Sequence, residues 1–282
     1  MSNRAGWSCF LSRLIAGLFL AAAASPDALA APPFSDLIVF GDSLSDNGNV
    51  SRFSNGPVWV EWMAAAMGLE LRPARSGGTN YATAGARTHG GSMDVLAQTA
   101  AFLNHRGDAD PKAFYVVFAG ANDLLASPCQ ARNTSVVRQA AEAMGSVVGR
   151  LAAAGAVNIL VPNLPDVGRA PVVRAQGADC AESARRLTRM YNAALEEVLT
   201  ALETSKHIRL YRLDVFSLAE QVFADPKGAG FRNVTAPCQG QACECALFWD
   251  WLHPTTAAHD LLAQQALEIL GLKGSLKVQP CS

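Results

Sequence analysis

The sequence predicts an α/β fold in which a parallel sheet is covered by helices on both faces. Two observations predict it. Short apolar runs rich in β-branched and aromatic residues recur along the chain. Between them lie longer stretches with apolar residues at helical spacing. Strands that alternate with helices imply right-handed crossovers, and strands buried on both faces read as continuous apolar runs.

The strands are expected at Leu37–Phe40, Phe114–Phe118, Asn158–Val161 and Ile208–Leu213, with a shorter fifth at Leu69–Leu71. The helices are expected at Val58–Met67, which follows Asn55-Gly56-Pro57, and at Met93–Asn104. A third, Thr134–Ala154, stops at Gly155, where a left-handed residue ends a helix easily. In Glu182–Leu202 an apolar stripe runs through Leu187, Met190, Tyr191, Ala194, Leu195 and Val198. The last helix, Thr255–Leu270, begins after Pro254 and stops at Gly271. The segment Asp225–Phe248 reads as a long loop carrying three cysteines.

The 282 residues divide at a leader. Arg4 and Arg13 flank the apolar stretch Leu14 to Ala24, and Ala28-Leu29-Ala30 follows as a small-x-small site. This reads as a signal peptide over residues 1–30, and a single domain over 31–282, secreted or periplasmic. Without the leader Lys plus Arg falls from 23 to 21 and Asp plus Glu from 24 to 23, a formal charge of −2. No basic stripe points to nucleic acid, and no later run is long enough to span a bilayer.

Six cysteines follow the leader: Cys129, Cys180, Cys238, Cys243, Cys245 and Cys281. In an exported chain an even number reads as disulfides. Zinc at Cys238-x4-Cys243-x-Cys245 is disfavoured, because no C-x-x-C pair or nearby His completes a tetrahedral site. Cys129 follows the Asn122 loop and Cys180 follows the third long strand, so a Cys129–Cys180 bridge is expected at the active-site edge. The cluster from Cys238 to Cys245 is expected to tether the loop that leads into Asp250.

Three groups carry the chemistry. A serine hydroxyl needs a base to take its proton, and the base needs a carboxylate to orient it. Ser43 lies just past the first strand in Gly41-Asp42-Ser43-Leu44, and Asp250 and His253 stand three apart before the last helix. A turn there brings Asp250 onto Nδ1 of His253 and leaves Nε2 for Ser43. The bland alternatives are a helix cap at Asp250, a loop histidine at 253, and a capping role for Ser43 or Ser45. A Gly-x-Ser-x-Gly elbow is absent, which disfavours the ordinary α/β-hydrolase fold. Oxyanion donors are expected from the backbone N–H of Ser43 and of Gly85 and from the Asn122 side-chain amide. Asp46 and Asp123 read as turn-stabilising. Phe53, Trp59, Trp62, Trp249 and Trp251 are candidates for an acyl groove, although packing in the core is the commoner use of such residues.

Together the four blocks Gly41–Leu44, Asn80–Ala86, Gly120–Asp123 and Asp250–His253 resemble the GDSL, or SGNH, hydrolase family. The resemblance implies a flavodoxin-like three-layer α/β/α sandwich with a five-stranded parallel sheet. It implies catalytic Ser43, Asp250 and His253, with Ser43, Gly85 and Asn122 around the oxyanion, and neither cofactor nor metal. The extended block through Asn49, the segment Arg52–Pro57 and Phe248-Trp249 look like the secreted phospholipase and acyltransferase-like branch. The expected function is a secreted serine ester hydrolase acting through an acyl-enzyme on lipid or other acyl esters, as a monomer in transient contact with a membrane surface. Alternatives are a glycerophospholipid:alcohol acyltransferase, a carbohydrate acetylesterase, and a non-catalytic lipid- or glycan-binding protein. The chain ends soon after its last helix, so no autotransporter barrel is expected.

Overall fold

The computed structural model describes residues 33–130, 134–205, 207–240 and 243–272. The expected signal peptide and Cys281 lie outside the described residues. Four parallel strands form the main sheet in the order β1 (Leu37–Gly41), β2 (Phe114–Phe118), β3 (Asn158–Pro162) and β4 (Arg209–Leu213). The register aligns Leu37 with Phe114, Phe114 with Asn158, and Asn158 with Arg209. Every residue of β1, β2 and β3 is buried, while β4, on the outer edge, is partly exposed.

The helices are α1 (Trp59–Met67), α2 (Val95–Arg106), α3 (Ala121–Leu125), α4 (Thr134–Ala153), α5 (Pro171–Arg174), α6 (Ala178–Ser205), α7 (Val215–Ala224) and α8 (Thr256–Ile269). Short 3₁₀ turns occupy Ala74–Ser76 and Val167–Arg169. α2 packs on α4 and α4 on α6, whereas α1 packs on α8. The two groups supply the cover that fully buried strands require. The approach of α4 to α6 depends on Gly145, where a Cβ would stand 2.1 Å from Cγ1 of Val198. No described helix is long and apolar enough to cross a membrane.

Two expectations need correction. The fifth strand at Leu69–Leu71 does not form, and among the described residues the main sheet has four strands. The free edge of β1 is covered instead by Thr79–Thr83. Val39 N–H donates to Thr79 O at 3.1 Å, Tyr81 N–H to Val39 O at 2.8 Å, and Thr83 N–H to Gly41 O at 3.0 Å. The only bridge pairing here is at Asn80, whose side chain is committed elsewhere. The stretch Asp225–Phe248 is also more ordered than a loop. It contains a small parallel pair, β5 (Asn233–Pro237) and β6 (Ala246–Phe248). That pairing joins segments with no shared periodicity, so only the folded chain reveals it.

Candidate active site

The carboxyl ends of all four strands open toward one cavity. Asp42 and Ser43 follow β1, Ala121 and Asn122 follow β2, Pro165, Asp166, Val167 and Arg169 follow β3, and Val215 opens α7 after β4; all line it. Loops at this edge of a parallel sheet are the usual place for a ligand.

Ser43 sits in a tight turn. The N–H groups of Ser45 and Asp46 both donate to Asp42 O at 3.0 Å. The residues after Ser43 are fixed by their own side chains. The buried Asp46 carboxylate accepts the N–H groups of Gly48, Asn49, Val50 and Ala84 at 2.6–3.0 Å. Asn80 donates to Ser45 O and Asn47 Oδ1, and Asn49 donates to Asn80 O and Ala82 O. The Ser45 hydroxyl accepts the Trp59 indole N–H at 3.0 Å. The Gln98 amide clamps the Gly41 peptide, accepting its N–H at 2.9 Å and donating to its O at 2.8 Å. Gly41 itself admits no side chain, since a Cβ would lie 2.6 Å from Phe118 O. The first two blocks thus form one hydrogen-bonded unit whose product is a fixed Ser43.

The other arm is local. Oδ1 of Asp250 accepts the N–H groups of Leu252 and His253 at 2.7 and 2.6 Å, which curls the chain. Asp250 Oδ2 then lies 2.8 Å from Nδ1 of His253, and Nε2 lies 2.9 Å from Ser43 Oγ. Burial raises the Asp250 carboxyl, but hydrogen bonds from the His253 ring and from two backbone N–H groups outweigh it and hold the carboxyl below its ordinary value. An ionised carboxylate only accepts, so Nδ1 carries the proton and Nε2 accepts from the Ser43 hydroxyl. The Phe53 ring lies 4.8 Å from the His253 ring. Ser54 donates to Pro254 O, and Asn55 accepts the N–H of Thr256, so the Arg52–Pro57 segment braces the turn into α8. Thr255, not Asp250, caps α8.

Asn122 reaches the cavity, and one N–H of its amide donates to Ala86 O at 2.8 Å, leaving the second for a ligand. It lies just after Gly120, whose φ of +119° and tight contact with the Tyr191 ring suit only glycine. Gly85 has φ +80°, open space where a Cβ would stand, and an N–H with no acceptor among the described residues. It does not line the cavity; it occupies the adjoining turn, tied to Asn122 through Ala86. Burial pushes the Asp42 carboxyl up to about 6. Asp123, raised by burial, accepts from both the N–H and the hydroxyl of Thr88, a structural duty like that of Asp46.

The cavity walls are the part that sequence reasoning missed. None of the five aromatic candidates lines them. Trp59 is core, Trp249 packs beside Cys238 and Cys243, and Trp251 is 58% exposed. The wall comes instead from Leu44, Phe118, Leu125, Phe248, Leu252 and Leu262, and from one face of α7. That face, Val215, Leu218, Ala219, Val222 and Phe223, has helical spacing that a scan for periodicity could have found. Disulfides join Cys129 to Cys180 and Cys238 to Cys243, and Cys245 is disulfide-bonded as well. The expected Cys129–Cys180 bridge is therefore present, and Cys238 and Cys243 are not thiolates available to zinc. The Cys238–Cys243 loop is hydrogen-bonded to Trp249 O through the N–H groups of Cys238 and Gln239.

The model of the GDSL-like lipase/acylhydrolase family matches residues 37–266, most of the chain. The chain belongs to that family. Among curated proteins, this GDSL-family chain is 27% identical to Lipase 1 of Photorhabdus luminescens over 84% of its length and half of that protein's. It is 24% identical to the phosphatidylcholine-sterol acyltransferase of Aeromonas hydrophila, over 83% of its own length and 90% of the relative's. The thermolabile hemolysin of Vibrio parahaemolyticus is 26% identical over 88% of the chain and 65% of the hemolysin. A solved GDSL-family structure from Veillonella parvula superposes with a TM-score of 0.53 at 16% identity, covering 84% of this chain and 98% of that one. A catalytic mutant of the acetylxylan esterase Axe2 from Geobacillus stearothermophilus superposes with 0.54 at 15% identity, covering 86% and 96%. At such identities the structural likeness speaks for the α/β fold alone.

Proposed function

We propose that this chain is an exported serine carboxylic-ester hydrolase that acts on lipid or other acyl esters through an acyl-enzyme. The observation that carries it is the continuous line from Asp250 Oδ2 through the His253 ring to Ser43 Oγ, with steps of 2.8 and 2.9 Å. His253 Nε2 takes the proton from Ser43 Oγ as that oxygen attacks the ester carbonyl. The oxyanion is met by the N–H groups of Ser43 and Gly85 and by the Asn122 amide. The imidazolium returns its proton to the departing alcohol. Water then attacks the acyl-enzyme with His253 again as base, and the acid leaves.

Export rests on the leader at residues 1–30, and the disulfides support it, since such bonds persist in oxidising compartments. The enzyme works as a monomer that touches a membrane surface transiently, and the exposed Trp251 beside the triad supports that contact. A second reading, transfer of the acyl group to an alcohol rather than to water, is favoured by similarity along most of the Aeromonas acyltransferase. Labelled ester with excess alcohol separates the two by product.

Ser43→Ala decides the main reading. It is expected to lower kcat by a factor on the order of 10⁴ or more with the fold retained. An organophosphonate is expected to label Ser43 in the unaltered protein. A fully active Ser43→Ala protein would overturn the assignment.

A further inference from the structure

We infer that the cavity beside Ser43 is an acyl site for an uncharged chain of about six to eight carbons, its length set by the inner face of α7. The inference rests on the ester-hydrolase reading and names the substrate that reading leaves open.

Three observations carry it. First, the cavity is continuous with the reacting groups, because Ser43, His253 and Asn122 share it with Leu218, Ala219, Val222 and Phe223 of α7. An acyl group on Ser43 Oγ has this apolar space directly beside it.

Second, the wall offers no free positive charge, and the Asp42 carboxyl that also lines it would repel an acidic acyl group. Arg169 lies 3.4 Å from Glu220 and 3.7 Å from Asp166, and its guanidinium stands 4.7 Å over the Phe223 ring. Asp166 and Glu220 are held in turn by Arg185. His259, also in the wall, is kept neutral by burial, which lowers its pKa to about 3. Both of its ring nitrogens are buried, with no hydrogen-bond partner among the described residues, so what the ring can present to the cavity is carbon. A dicarboxylic or sugar-bearing acyl group would lose its hydration here without finding a counter-charge.

Third, the volume is limited. The cavity measures about 160 Å³ and is open on one side. A dry apolar cavity of about 150 Å³ admits a benzene ring, six carbons. The enclosed space therefore holds about six acyl carbons, and the open side adds room for one or two. An acetyl group would leave most of the wall uncovered, while a chain of sixteen carbons would extend into water.

The test is the kcat/KM of monomeric p-nitrophenyl esters from acetyl to palmitoyl. The expected profile rises by about fourfold per methylene at most, peaks at hexanoyl to octanoyl, and then falls. Ala219→Phe, which fills the cavity, is expected to lower the octanoyl-to-acetyl ratio by more than tenfold. Leu218→Ala, which enlarges it, should move the peak to longer chains, and it keeps the test decisive if Ala219→Phe fails to fold. Hydrolysis of no ester, with Ser43 unlabelled by the organophosphonate, would overturn the hydrolase reading and this one with it. Hydrolysis with a peak at acetyl, or variants that scale all esters equally, would overturn the acyl site alone.

Discussion

Ser43 and His253 meet at 2.9 Å, but the turn behind one and the loop behind the other are built differently. Behind Ser43 stand Ser45, Asp46 and Asn80, each 0% exposed and hydrogen-bonded to other segments of the chain. Behind His253 stands Asp250, its side chain 21% exposed and its hydrogen bonds all made within three residues. Ser43 is positioned by a buried network whose failure threatens the fold. The Asp250–His253 pair is positioned by a short self-contained turn, braced from outside by Phe53, Ser54 and a disulfide loop. The contrast says where mutations should act: on stability at the first region, on rate at the second.

Asp250→Asn is expected to give the largest effect. The amide keeps an oxygen for the N–H groups of Leu252 and His253, so the turn survives. It no longer holds Nδ1 protonated with a negative charge beside it. A fall in kcat on the order of 10⁴ is expected, equivalent to about 5 kcal/mol, with the melting temperature nearly unchanged. Steady-state kinetics beside a thermal melt reads both; a loss smaller than tenfold would erase the distinction between the regions.

Asp46→Ala reverses the pattern. Four backbone N–H groups lose their acceptor in a buried site. A loss of about 3 kcal/mol of stability is expected, measured by denaturant unfolding. Loss of activity without loss of stability would mean that Asp46 acts on the chemistry and not on the turn.

Cys238→Ser with Cys243→Ser probes the outer brace. Closing so short a loop is worth about 2 kcal/mol in the chain-entropy view. The loop also holds Trp249 O, one residue from Asp250. A fall of a few fold in kcat is expected beside the lost stability, and unchanged kcat would show that the local turn stands unaided.

What the sequence disclosed follows the same division. β1, β2 and β3 are legible because burial on both faces leaves unbroken apolar runs. The Ser43 turn and the Asp250–His253 pair are legible because their chemistry lies in four-residue blocks. The cover along the edge of β1 is not legible, and a fifth strand is expected at Leu69–Leu71 instead, because Thr79–Thr83 is polar, its side chains bonding across the turn rather than marking a strand. The cavity was illegible as a whole. Its wall gathers residues after four separate strands, and α7 shows it only as one amphipathic face that is equally suited to an ordinary core.

His259 tests whether that wall carries a cost of its own. It is 1% exposed, neither ring nitrogen has a partner among the described residues, and burial, with a smaller repulsion from His253, lowers its pKa to about 3. Between pH 3 and 6.5 the unfolded chain binds this proton and the native chain does not. His259 therefore makes stability fall as pH falls through that window, by at most about 1.4 kcal/mol per pH unit. Asp42 acts oppositely. Burial raises its carboxyl to about 6, so between its ordinary value and 6 the native state holds the proton more tightly and gains stability as pH falls. His259→Leu removes the first slope and leaves the second. At neutral pH the variant is expected to be more stable by about 1 kcal/mol, since two buried unpartnered nitrogens become carbon. The difference in unfolding free energy between variant and parent should widen from pH 7 to pH 4 in chemical denaturation. A difference that does not depend on pH would mean that His259 is hydrated or partnered in solution, and that the wall is more polar than its residues imply.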